Sequence, residues 1–363
     1  KRANNAIFIS AYDQNDAALS QALSEGVINQ ICTLDDLARE SNILVIALPP
    51  ITAAALIPKL AAVVGEHCIV TDVASVKSTI MDVVNEQPLS FQQRFVPGHP
   101  IAGSEQSEFQ SSTPELFQDR NVILIPHTKI NPKALAVVNE LWRELGANIL
   151  GMEIAKHDEV LAMTSHLPHL LAYTIVDVIV GQQQSEDIFR YAAGGFADFS
   201  RLASSNAKMW SDIFVTNSDA MISTLDSYIE RLQEFKKYIA NKDHSLLMRK
   251  LSNAKDVRDD FLQKYFGNKV TTESTETKIS FTLVPGGLVK GDIRVPGDKS
   301  ISHRAIILSS IADGVTKVSG FLEGEDALNT LAAFQEMGVT IIGPSNGELT
   351  IYGVGKDGLK APR

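Results

Sequence analysis

Short apolar runs rich in β-branched residues alternate with amphipathic stretches over the first 150 positions. Strands are predicted at Ala6–Ala11, Ile43–Leu48, Cys68–Asp72, Val122–Ile125 and Asn148–Leu150. Helices are predicted at Asp16–Glu25, which stops at Gly26, at Ala53–Val64, from near Ser75, and at Asn131–Leu145. Fully apolar strands alternating with helices imply a parallel sheet covered on both faces. From residue 153 the period turns helical. Glu153–Val180 reads as one long helix kinked at Pro168, and helices follow at Ser185–Tyr191, Asp198–Asn206, Ser211–Ile239 and Ser245–Phe266. Gly267–Lys278 is polar, Thr-rich and almost free of large apolar residues, as a linker requires. Strands then return at Ser280–Val284, Asp292–Val295, Thr316–Ser319 and Glu348–Tyr352, with helices at His303–Ile311 and Asp326–Met337. The expected division is 1–152, 153–266, a linker at 267–278, and a separate module at 279–363.

With 363 residues, 44% apolar and 21% charged, each part can bury a core. The net charge of −10 disfavours a nucleic-acid surface, because phosphate binding needs clustered Lys and Arg. Any cationic contact to an anionic small molecule must be local. Cys32 and Cys68 are the only cysteines, too few for a disulfide framework or a CxxC metal site, which fits a reducing compartment. No uninterrupted apolar run of about 18 residues, as a membrane span needs, and no signal peptide are expected. The chain opens on Lys1 within a strand pattern and stops at Arg363 without a closing element, so it reads as a fragment of a longer protein.

Candidate chemistry falls in a few segments. Tyr12-Asp13 ends an early strand. In dinucleotide-binding folds an acid after the second strand takes the ribose hydroxyls and favours NAD over NADP; the plain alternative is a turn aspartate. The GxGxxG fingerprint is absent, and its expected place is a strand–helix unit before residue 1. Four of the eight histidines lie in two segments: His99-Pro100-Ile101-Ala102-Gly103-Ser104-Glu105, and His157-Asp158 followed by Ser165-His166-Leu167-Pro168-His169. A histidine beside proline in a Gly-rich loop can present its imidazole as acceptor or base near neutral pH. Ser165 and His169 share a helix face, whereas His157 and His166 are half a turn out of phase on a straight helix. No HExxH pattern arises, and no metal site is expected. Gly194-Gly195-Phe196-Ala197-Asp198-Phe199-Ser200-Arg201, with Trp210 beyond it, offers Arg201 as a fork for a carboxylate. In Asp72-Val73-Ala74-Ser75-Val76-Lys77, Ser75 follows a strand at a helix start, where it faces a ligand crevice or caps the helix.

In this order, DVASVK, HPIAGSE, HD…SHLPH and GGFADFSR resemble the prephenate (cyclohexadienyl or arogenate) dehydrogenases over about residues 5–265. The resemblance implies a Rossmann-type NAD domain lacking its first strand–helix unit, followed by an all-helical domain that forms a homodimer. The reaction implied is oxidative decarboxylation of prephenate or arogenate in tyrosine biosynthesis, in the cytoplasm. It further implies His99 as acceptor of the substrate hydroxyl proton, oriented by Ser75, and Arg201 as carboxylate clamp with His169 nearby. His157, Glu105, Asp158 and Asp198 become supporting or gating partners, and Trp210 a pocket wall.

Past the linker, Val295-Pro296-Gly297-Asp298-Lys299-Ser300-Ile301-Ser302-His303-Arg304 is not a P-loop, since Asp298 separates Gly from Lys. Lys299, Ser300 and Arg304 around a helix start suit phosphate and carboxylate oxygens. The segment resembles the opening of the 3-phosphoshikimate 1-carboxyvinyltransferases (EPSP synthases) over residues 280–363. That resemblance implies that Lys299 meets phosphoenolpyruvate, and that Ser300 and Arg304 meet shikimate 3-phosphate. It also implies that so partial a module is inactive by itself. Two alternatives stand beside this bifunctional reading. One is a two-domain NAD-linked dehydrogenase of the β-hydroxyacid type, which leans on a catalytic lysine. The other is a non-catalytic helical dimerisation module.

Overall fold

The computed structural model describes residues 7–102, 109, 112–182, 185–266 and 295–362. The expected linker, the strand at Ser280–Val284, most of that at Asp292–Val295, and Glu105 lie outside the described residues.

The strands are β1 Ser10–Ala11, β2 Gln30–Ile31, β3 Ile43–Ile46, β4 Ile69–Asp72, β5 Phe95–Pro100, β6 Asn121–Leu124, β7 Asn148–Gly151, β8 Asp313–Val318, β9 Thr340–Ser345 and β10 Glu348–Val354. Helices of the first part are α1 Asp16–Ser24, α2 Leu34–Glu40, α3 Pro50–Val63, α4 Ser78–Asn85, α5 Leu89–Gln92 and α6 Pro132–Glu144. Then come α7 Ile154–Leu161, α8 Leu167–Val180, α9 Ser185–Arg190, α10 Gly194–Ser200, α11 Ala207–Thr216, α12 Ser218–Ala240 and α13 His244–Phe266. The last two are α14 Lys299–Ser310 and α15 Glu325–Glu336. The chain forms two compact units, Lys1–Ile222 with Pro296–Arg363, and Ser223–Val295. The second unit holds most of α12 and α13.

In the first unit β1 and β2 pair in parallel. An eight-stranded sheet runs in the order β3-β4-β5-β6-β7-β9-β10-β8. Its β3, β4 and β5 are parallel, so the carboxyl ends at Ile46, Asp72 and Pro100 share one edge. The β5–β6 join is antiparallel, a departure from the uniformly parallel sheet expected. Strand β7 then pairs in parallel with β6 on one side and β9 on the other. One core, with Ile57, Leu60, Val70, Ile80 and Phe95, lies under α3 and α4. A second, with Val96, Val122, Leu124, Leu135 and Trp142, lies under α6 on the other face. Phe95 and Val96 enter opposite cores, as alternation along a strand dictates.

Three local readings are corrected. Residues Phe95–Pro100, expected as a loop around His99, form strand β5 between two partners. The expected helix start at Ser75 lies at Ser78, with residues 73–77 forming the turn that leaves β4. The long helix does not simply kink at Pro168. A π-helical segment, Ala162–His166, precedes α8, and Pro168 stands in the first turn of α8. The proline ring conflicts with the carbonyl four residues back, and widening the preceding turn relieves it. Taken together, Ile154–Val180 has the length and mean hydropathy of a membrane span. It nevertheless carries His157, Asp158 and His166 buried in protein contacts, which a bilayer-facing helix could not hold cheaply.

Candidate active site

Strand β5 carries His99 to the carboxyl edge of the sheet. In the antiparallel register His99 stands opposite Ile123, so the two side chains share a face. On that face Ile123 and Ile125 pack with Leu161 of α7. His157 lies four residues before Leu161, on the same side of the helix, and is thereby laid over His99. The imidazoles meet edge to face, with Nδ1 of His99 2.8 Å from Nε2 of His157. Nδ1 of His157 is in turn 2.7 Å from Oδ1 of Asp158. His99 is 8% exposed and His157 fully buried.

The charge on Asp158 sets the direction of these bonds. Burial pushes its carboxyl up. Hydrogen bonds from His157, from the Ser78 hydroxyl, and from the backbone amides of Lys77 and Ser78 outweigh that and hold it at about 2. Those two amides open α4, so an ionised carboxylate 80 residues away in sequence caps this helix. Ionised Asp158 only accepts, so His157 donates from Nδ1. Its Nε2 therefore accepts from Nδ1 of His99. The chain of bonds leaves Nε2 of His99 carrying a lone pair, the form a proton acceptor needs. Burial lowers the pKa of His99 well below its ordinary 6.5; His157, Lys77 and His166 push the same way, and only Asp158 opposes.

Lys77 is buried without exposure and donates to Asp72 and to the Gly98 carbonyl, at 2.6 Å, one residue before His99. Burial lowers its pKa against the pull of Asp72. Asn217, in the break between α11 and α12 where one continuous helix was expected, donates to the Asp158 carbonyl at 2.9 Å. It also lies 3.1 Å from Nδ1 of His166. The π-segment abolishes the straight-helix phase that would have set His157 and His166 apart. Trp210 contacts His166 edge-on and stacks on His169, with centroids 3.6 Å apart and planes inclined by 20°. His169 donates from Nδ1 to the Ser165 carbonyl at 2.9 Å.

The structure thus joins His99, His157 and Asp158 directly, and links His166, Trp210 and His169 to them through Asn217. Ser75 is half-buried in the turn after β4, whereas Ser78 makes the hydroxyl contact to Asp158. Arg201 is exposed at the head of a 3-10 turn, Arg201–Ser204, packed on α8, the helix of His169. Asp198 is exposed on α10. Asp13 follows β1, and its Oδ1 accepts the Asn15 amide at 2.8 Å. Lys299, Ser300 and Arg304 are exposed on the first two turns of α14, with Lys299 paired to Asp326 of α15. Lys77, Asp72, Ser78 and Asn217 were not singled out from sequence. The one available signal was a lysine within DVASVK, in a turn leaving an apolar strand.

The buried histidines give a pH signature. Folded His99, His157 and His166 all titrate below 6.5, His166 at about 4, chiefly because of burial. Between about pH 6.5 and 4 the unfolded chain therefore binds more protons, and stability falls as pH falls. Above 6.5 these groups give no slope. The urea midpoint is expected to drop steadily from pH 6.5 to pH 5, and a flat midpoint over that range would contradict neutral burial.

Comparison with known proteins agrees with this geometry. Residues 1–151 match the model of the prephenate dehydrogenase nucleotide-binding domain, and 153–253 that of the prephenate dehydrogenase dimerization domain. Residues 284–362 match EPSP synthase (3-phosphoshikimate 1-carboxyvinyltransferase). The cyclohexadienyl dehydrogenase of Zymomonas mobilis is 32% identical over 262 residues, 69% of this chain and 86% of that protein. A crystal structure of prephenate dehydrogenase from A. aeolicus, in complex with hydroxyphenyl propionate and NAD+, has 32% identity and a TM-score of 0.67. The match covers 72% of this chain and 91% of that one. The 3-phosphoshikimate 1-carboxyvinyltransferase of Hydrogenovibrio crunogenus is 67% identical over 84 residues, but the match spans 19% of that protein. With its histidine relay at the carboxyl edge of a dinucleotide-type sheet, this chain belongs to the prephenate dehydrogenase family and continues into a segment of EPSP synthase type.

Proposed function

We propose that this chain oxidatively decarboxylates prephenate or arogenate with NAD as acceptor. The observation that carries the reading is the Asp158–His157–His99 relay, which leaves a lone pair on Nε2 of His99 at the ligand edge of the sheet. The donor set fits the cofactor: Asp13 follows a parallel strand, where a carboxylate takes ribose hydroxyls, and the turns after β3 and β4 open on one edge. NAD, when bound, supplies the hydride acceptor.

The substrate carries a hydroxyl and a hydrogen on one ring carbon, with a carboxylate across the ring. Loss of hydride from that carbon gives its C–O bond carbonyl character, and the hydroxyl proton becomes strongly acidic. Nε2 of His99 accepts a hydrogen bond from it, while Asp158 and His157 stabilise the partial positive charge that develops. Loss of carbon dioxide then sends the carboxylate's electron pair into the ring, and the phenol keeps its proton. A weak base suffices, because the proton is shared and returned. This accounts for an imidazole whose pKa lies below the usual range. Ser75 would orient the substrate hydroxyl from the turn after β4. Arg201 would hold a substrate carboxylate by a bidentate contact, beside His169 on the wall made with Trp210.

The division at 1–152, 153–266 and 279–363 belongs to the same reading. A homodimer through the helical part is supported by the dimerization-domain match and by the exposed apolar pair Ile175 and Val178, three residues apart on one side of α8. A cytoplasmic location goes with the two free cysteines. In the transferase-like segment we assign Lys299, Ser300 and Arg304 as oxyanion contacts. No turnover is assigned to them, because a fifth of such an enzyme does not supply a whole active site.

NADH formation with prephenate and with arogenate, measured side by side, tests the reading; activity with neither would overturn it. Arg201→Ala is expected to raise the substrate Michaelis constant roughly 10–100-fold, the worth of a charged hydrogen-bonded contact. A pure turnover defect would remove Arg201 from carboxylate binding.

A further inference from the structure

The outer strand of the dehydrogenase sheet is covered by the transferase-like segment, and the cover is built into both sides. Gly151, the last residue of β7, faces Ile342 of β9 in parallel register. A β-carbon on Gly151 would stand 2.7 Å from the Ile341 carbonyl oxygen, so only glycine permits this approach. Behind the strand, α6 points two buried polar side chains across the seam. The Asn139 amide donates to the Thr340 hydroxyl at 2.9 Å. The Arg143 guanidinium donates to the Glu336 carbonyl, at the carboxyl end of α15, and lies 3.4 Å from the Ala361 carbonyl. Asn139 is 1% exposed and Arg143 7%. Gly338, at a φ of +92°, makes room for that guanidinium. Tyr352 of β10 is buried within the same core as Val122, Leu124 and Trp142, with Ile342 packed against it.

This seam lies next to the relay. Strand β7 ends at Gly151, and α7, which bears His157 and Asp158, begins at Ile154. Burial pushes the Tyr352 phenol up to about 12, and Glu153, at the start of α7, adds to the rise. Uncovered, β7 would be an edge strand with free backbone groups, and Asn139 and Arg143 would lose their partners.

We propose that residues 338–361 act as a fixed buttress of the dehydrogenase. By docking on β7 and α6 they hold the β7–α7 joint and so keep His157 and Asp158 in place under His99. The two modules of the fusion are then one cooperative structure along this seam.

The test uses the full chain and two variants, Gly151→Val, which blocks the approach, and Thr340→Val, which removes only the bond to Asn139. Hydrogen exchange is followed at 149–157 and at 340–345, together with the turnover number for NADH formation. Both stretches are expected to exchange about tenfold faster in Thr340→Val, and together. Gly151→Val is expected to do at least as much and to lower the turnover number. Faster exchange at 340–345 with 149–157 unchanged would overturn the buttress. Unchanged exchange in both stretches of Thr340→Val would overturn the seam itself. Should Gly151→Val fail to fold, Thr340→Val still decides. The turnover arm rests on the dehydrogenase reading, whereas the exchange arm does not, so the failure of either is distinguishable.

Discussion

His99→Gln is expected to lower the turnover number by about 10²–10⁴-fold, the usual share of a positioned proton acceptor, while cofactor affinity stays near that of the parent. Glutamine keeps the bulk and polarity of the imidazole but offers no basic nitrogen. His99 reaches the chemistry through one free nitrogen, because the other is committed to His157 at 2.8 Å. Steady-state kinetics with saturating NAD would check this. Unchanged turnover would remove His99 from the reaction and leave another group to take the hydroxyl proton. A proportional loss of cofactor binding would favour a structural role. The parent's turnover should also be flat near neutral pH and fall only in acid, since the depressed pKa of His99 keeps it unprotonated above 6.5.

The largest stability effect is expected at Lys77. Lys77→Met should cost about 3–5 kcal/mol, because it leaves Asp72 buried with no opposite charge. Both side chains of the pair are without exposure to solvent. The Ala74 amide, 3.0 Å from the Asp72 carboxylate, remains as a partner but carries no full charge. Asp72→Asn combined with Lys77→Met should recover much of the loss, since no unpaired charge then remains in the core. Chemical denaturation at pH 7.5 measures both. A single-variant loss under about 1 kcal/mol would show that water reaches the pair. Lys77 also fixes the Gly98 carbonyl beside His99, so the single variant should lower turnover even where it folds. The β-hydroxyacid alternative places a catalytic lysine in the site. Here the lysine beside the site is committed to Asp72 and Gly98, and His99 is the group with a free lone pair.

Strands β3, β4, β6 and β7 were legible to within about a residue at each end, apart from the longer apolar run at β3, because continuous apolar runs between helical stretches have few other readings. Three strands escaped: the two-residue β2, too short to show a period, and β5 and β9. The last two read FVPGHP and TIIGPS. Each contains Gly and Pro, which argue against a strand when only neighbours along the chain are considered. In the folded chain both are strands because partners on either side enforce them. These are also the strands that carry His99 and the seam. Similarly, Ser211–Ile239 shows unbroken helical periodicity, and the break at Asn217 follows from tertiary hydrogen bonds to Asp158 and His166.

By itself the sequence determined the inventory: which histidines, carboxylates and cations are present, the change from strand to helix period near residue 153, and the motifs that mark the family. These depend on spacing and residue type, which act over a few positions. Only the tertiary structure decided that Asp158, His157 and His99 bond in that order, that Lys77 lies buried between Asp72 and Gly98, and that β9 continues the sheet beyond β7. Each of these joins residues that packing brings together: 58 positions apart for His99 and His157, and 201 for Asn139 and Thr340. No local preference encodes such a pairing; it arises when apolar faces close and the polar groups trapped between them must find one another.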